Sequence, residues 1–119
     1  MRAELIDVFQ GIITVEINGH LTVQEFAAVQ EAVADELMSL GSGKILILAS
    51  RFTGWSKEAG WEDLSFQAAN DPSIQRMALV ADVRWVDLAL MFTGKGIRPF
   101  PIEYFGTGHE ADARAWLNS

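Results

Sequence analysis

A chain of 119 residues with 16 acidic against nine basic side chains carries a formal charge of −7, which repels nucleic-acid phosphates and anionic headgroups at long range. Half of the residues are hydrophobic and 21% are charged, a balance that fits one globular domain over 1–119 and excludes a disordered tract. Cysteine is absent, so disulfides, thiolate nucleophiles and thiolate metal sites are excluded.

The opening ELIDVFQGIITVEINGHLT places Gly11 between two runs rich in Ile and Val, with Ile13, Val15 and Ile17 alternating against Thr14 and Glu16. This pattern predicts two short strands joined as a hairpin. Thr22 and Glu25 form a capping box that starts a helix over Val23 to Leu40. Phe26, Val29, Val33 and Leu37 make one stripe along that helix, and Gly41 ends it. Lys44 to Ala49 is almost wholly aliphatic without alternation, as in a central strand covered on both faces. The next stretch, SRFTGWSKEAGWEDL, reads as a loop running into a helix from about Lys57 to Asn70, which stops before Pro72.

QRMALVAD then predicts another apolar strand, RWVDLALMFTGKG a helix ending in glycine, RPFPIEYF a strand, and HEADARAWLNS a terminal helix. Pro99 and Pro101 each remove a donor, so the last strand starts late or lies at an edge. The order β-β-α-β-α-β-α-β-α predicts an α/β fold: a mixed, mostly parallel sheet with helices packed over it.

The same order, the GHLTVQEF start of the long helix, the FTGWS-x5-WEDL segment and the terminal EADARAWL together resemble the SpoIIAA-like family. The resemblance covers nearly the whole chain and implies a STAS-like fold. It also implies a small bacterial cytosolic module, structurally related to anti-sigma-factor antagonists and more distantly to lipid-binding CRAL-TRIO domains. Two features depart from it. Phospho-switched antagonists carry an Asp-Ser motif at the start of the helix after the central strand, and this chain has no such dipeptide; its nearest candidate phosphoacceptor is Ser56. The penultimate helix, expected to expose basic residues, instead reads VDLALMF.

The chemistry-bearing residues are few. His20 and His109 have no neighbouring nucleophile or ligand spacing, and Glu62 and Asp63 point to different faces of the predicted helix. No catalytic, metal or cofactor motif is present. The aromatic residues are more informative. Phe52, Trp55 and Trp61 stand after the central strand and Trp85 after its neighbour, where open α/β sheets bind ligands. Leu88 and Phe92 lie on the over-apolar helix. For Trp55 and Trp61 the default role is a core plug, with the pocket wall as the functional alternative. Phe66 could join the same wall, and Gly94 and Gly96 would let that helix hinge.

Two readings follow. The first and preferred one is a non-enzymatic binding domain that holds a small apolar or lipid-like ligand at the carboxyl end of the sheet, with Phe52, Trp55, Ser56, Trp61, Trp85, Leu88 and Phe92 as its site. The second is a regulatory protein-interaction module switched at Ser56. A homodimer partner, or transient membrane contact through the helix around Trp85 to Phe92, would also cover the excess apolar surface. The N-terminal charges at Arg2, Glu4 and Asp7 and the lack of an 18-residue apolar run point to the cytoplasm.

Overall fold

The computed structural model describes residues 3–61, 63–93 and 98–119, and of residues 88, 89 and 92 the backbone alone. β1 (Ala3–Phe9) and β2 (Ile12–Leu21) form the predicted hairpin. Gln10 and Gly11, at φ 53° and 78°, give its two-residue turn the left-handed pair of conformations that matches the twist of antiparallel strands. α1 covers Val23–Leu40 as the sequence predicts, because both ends carry their own stop signals. The Thr22 hydroxyl accepts from the Glu25 N–H at 3.2 Å and the Thr22 N–H donates to the Glu25 carboxylate at 3.2 Å. At the other end Gly41 turns to φ 84° and its N–H reaches the Leu37 carbonyl.

β3 (Gly43–Trp55), β4 (Ile74–Ala81) and β5 (Ile102–Gly106) complete a five-stranded sheet in the order β1-β2-β3-β4-β5, antiparallel between β1 and β2 and parallel elsewhere. β5 begins after Pro101 and occupies an edge, as its prolines require. α2 (Ser65–Asn70) joins β3 to β4, α3 (Val86–Thr93) joins β4 to β5, and α4 (Glu110–Leu117) closes the chain. α1, α2 and α3 pack on one face through Val29, Val33, Leu37, Phe66 and Leu90. α4 covers the other through Ala113, Trp116 and Leu117, over Leu46, Ala78 and Val80.

Two predicted boundaries fail, and both failures shape the site. The first is the end of β3, which was expected at Ala49. The strand continues to Trp55, paired with β2 alone as far as Leu21 opposite Trp55. Arg51 and Thr53 are exposed while Phe52 and Gly54 are buried, so the period-two alternation of a strand is present in RFTG. Gly54 hides it by looking like a turn residue. Its φ of 129°, a conformation that side chains rarely adopt, favours glycine inside the strand. His20 consequently lies in β2 opposite Gly54.

The second is the helix expected from Lys57, which begins only at Ser65 and runs six residues. Gly60 stops it: at φ 114° it leaves helical space, and a Cβ there would come within 3.0 Å of the Val23 side chain. Asp63 supplies the start signal instead, its carboxylate accepting from the Ser65 N–H at 3.0 Å. At 1.5 Å per residue, the missing eight or so residues would have laid roughly 12 Å of helix across the sheet. The sheet face beneath them is left partly uncovered.

Candidate functional site

Where that helix is missing, a cavity of about 210 Å³ lies between the sheet and α1. Close-packed interiors hold few voids larger than one water, and this one has room for about seven at ~30 Å³ each. Its floor comes from alternate residues on one face of three strands: Val15 and Ile17 of β2, Ile45, Ile47 and Ala49 of β3, and Met77 and Leu79 of β4. Ile47 marks the gap most clearly. It stands in the middle of the central strand yet is only partly buried, while Ile45 and Ala49 on either side are 3% and 5% exposed.

One wall is α1, where Phe26, Val29 and Val33 face the cavity along the stripe that sequence periodicity identifies. The upper end is aromatic. Phe52 stacks on Trp55 with ring centres 5.6 Å apart and meets the edge of Trp85 at 5.1 Å, while Trp61 leans on Phe26 at 5.9 Å. Trp61 is held in place by its indole N–H, which donates to the Ser56 carbonyl at 2.9 Å. The mouth lies beside the exposed Asp63 and Leu64. The Ser65 backbone N–H, and then its hydroxyl, hold the Asp63 carboxyl below its usual value, so this rim group is ionised at neutral pH.

The predicted site residues separate into three groups. Phe52, Trp55 and Trp61 line the cavity together. Trp85 stands behind Phe52 and does not line it; its buried indole nitrogen has no acceptor among the described residues. The side chains of Leu88 and Phe92, together with Gly94 and Gly96, lie outside the described residues, as does Glu62.

Ser56 stands away from the helix start that the sequence predicts beside it. It does not cap a helix, since α2 starts nine positions later. Its N–H donates to the Leu21 carbonyl at 2.8 Å, closing the β2–β3 extension. Its hydroxyl donates to the Glu58 carboxylate, whose oxygen also lies 3.5 Å from the Val23 N–H at the start of α1. A phosphate at Ser56 would therefore meet a carboxylate and no helix dipole of α2.

The cavity also reaches farther than its predicted place at the carboxyl end of the sheet, running back along β3 to Ile45. At that lower end Arg98 and Thr93 join the lining. Arg98 is paired with Asp71 across the start of β4; the side chains are 8% and 12% exposed. The guanidinium Nε–H donates to Asp71 at 3.0 Å, an Nη2–H donates to the other carboxylate oxygen, and Nη1 donates to the Thr93 carbonyl at 3.2 Å. Nothing in the sequence announces this pair, whose members are 27 positions apart.

Among the described residues no three His, Cys, Asp or Glu side chains gather as a metal site. His109 bonds Asp112 at 2.9 Å on the exposed rim of α4. No helix of the described residues is long and apolar enough to cross a membrane.

Comparison with known proteins agrees with this architecture. A solved structure from Shewanella loihica, of a protein of the DUF3478 family with a SpoIIAA-like fold, superposes with a TM-score of 0.72 at 19% identity, covering 97% of this chain and 94% of that one. No curated protein sequence matches. The SpoIIAA-like family model matches residues 12–118, and the chain belongs to the SpoIIAA-like family.

Proposed function

We propose that the protein is a non-enzymatic binding domain of the cytoplasm that holds a small apolar or lipid-like ligand in the cavity between β2–β4 and α1. One observation carries the reading: the centre of the helix-covered sheet face, where an α/β domain normally has its densest packing, encloses about 210 Å³ lined mainly by aliphatic and aromatic side chains. Concave, mostly apolar sites with a few placed polar groups are the usual form of small-molecule pockets. An occupant would restore the packing that the short α2 omits, so ligand and fold favour each other. The place of Ser56 supports this reading over a phospho-switch, because it follows the end of β3 and stands nine positions before α2.

Native mass spectrometry of protein purified without detergent tests the proposal. The expected result is a noncovalent adduct that organic extraction releases as an apolar small molecule, or that forms on exposure to a cell lipid extract. Protein that remains empty after both treatments would contradict it.

A further inference from the structure

The cavity is chemically asymmetric. Its aromatic upper end lies beside the exposed Asp63 and Leu64, whereas two buried polar groups line its lower end, Thr93 at 7% exposure and the Arg98 side chain at 8%. A guanidinium carries five N–H donors. Asp71 takes two and the Thr93 carbonyl takes one, which leaves two without an acceptor among the described residues on a side chain that water barely reaches. The Thr93 hydroxyl donates to the Leu90 carbonyl at 3.0 Å, so its oxygen retains lone pairs. Donors and an acceptor thus lie together at one end of a chamber whose other polar lining is Gln30, Gln67 and the exposed Asp63.

Resting on the binding-domain reading, we propose that the ligand is an amphiphile bound head-inward, with an uncharged carbonyl head, as in an amide or ester, against Arg98 and Thr93 and its alkyl part toward Phe52 and Trp61. Charge selects against a carboxylate head. Asp71 already neutralises Arg98, so a second carboxylate would add an unbalanced negative charge in a desolvated place. A carbonyl oxygen instead fills the remaining N–H directions at no charge cost, and an amide N–H can donate to the Thr93 hydroxyl oxygen. Size follows from volume. An apolar cavity of ~150 Å³ takes one benzene, so by proportion this chamber takes about eight carbon atoms.

The test is a matched eight-carbon series, octane, octanamide and octanoate, titrated at pH 7.5 and followed by tryptophan fluorescence and methyl NMR shifts. Octanamide is expected to bind about tenfold or more tighter than octane, the worth of a buried hydrogen bond, with octanoate weaker than octanamide. In Arg98→Lys, which keeps a cation for Asp71 but has fewer donors, the ratio of octanamide to octane affinity should fall toward one. Equal binding of octane and octanamide by the unaltered protein would overturn the head-inward assignment and leave the binding-domain reading standing. Octanoate as the tightest ligand would overturn the uncharged head. No binding by any of the three would remove both readings together.

Discussion

Ala49→Phe is expected to abolish ligand uptake without lowering stability. Ala49 is 5% exposed on the central strand and faces the cavity. In a filled core, inserting a ring costs typically about 1–3 kcal/mol through forced rotamers and backbone shifts. Here the ring has a void to enter, and cavity-filling changes commonly add roughly 0.5–2 kcal/mol. The same ring displaces part of any ligand. Losing burial of about four methylene groups, at ~0.8 kcal/mol each, weakens binding about 100-fold or more. Urea unfolding of empty protein and fluorescence titration with octanamide measure the two effects separately. A variant less stable by more than about 1 kcal/mol would show that the space is closed in solution, since that is the penalty of an occupied core.

The second large effect compares neighbours on one strand. Leu46 is wholly buried beneath α4, against Ala113 and Leu117, which are also 0% exposed. Leu46→Ala should destabilise the protein by about 3–4 kcal/mol, the middle of the range for buried leucines that leave a cavity behind. Ile47 points the opposite way, into the existing cavity, and is only partly buried. It has fewer close neighbours to lose, so Ile47→Ala should cost about 1–2 kcal/mol. The discriminating quantity is the difference between the two. Equal costs would mean that both faces of the sheet are packed to the same density, and the cavity would lose its main physical support.

The elements that were legible in the sequence are those whose signals are local. Thr22 with Glu25 and Gly41 bracket α1 to the residue, because a capping box and a left-handed C-terminal glycine satisfy backbone groups within one turn. Pro101 likewise sets the start of β5. The end of β3 was hidden because Gly54 has two meanings, a turn or a left-handed position within a strand, and only its pairing with His20 of β2 decides between them. Gly60 was a breaker in plain view within KEAGWEDL. Its weight depends on Val23 standing against it, a contact between segments far apart in sequence.

The site was legible in part for the same reason. Phe52 and Trp55 reach the cavity from the end of β3, where open sheets deliver side chains, and Trp61 from the segment that follows it. The stripe of Phe26, Val29 and Val33 was visible, but residue types do not distinguish a helix face that meets a sheet from one that meets a void. That difference is one of volume. Arg98 and Asp71 were out of reach, since an ion pair across 27 positions has no periodicity to betray it. Ser56 was misplaced because its predicted role depended on a helix start that Gly60 and Asp63 move to Ser65.

The most direct measurement is a crystal structure of protein purified without detergent, followed by the same crystals under xenon pressure, because apolar cavities of this size take up xenon. Density is expected in the space bounded by Ile47, Phe52 and Phe66, either an elongated ligand carried from the cell or xenon in its place. Side chains closing that space, with neither ligand nor xenon between them, would contradict it.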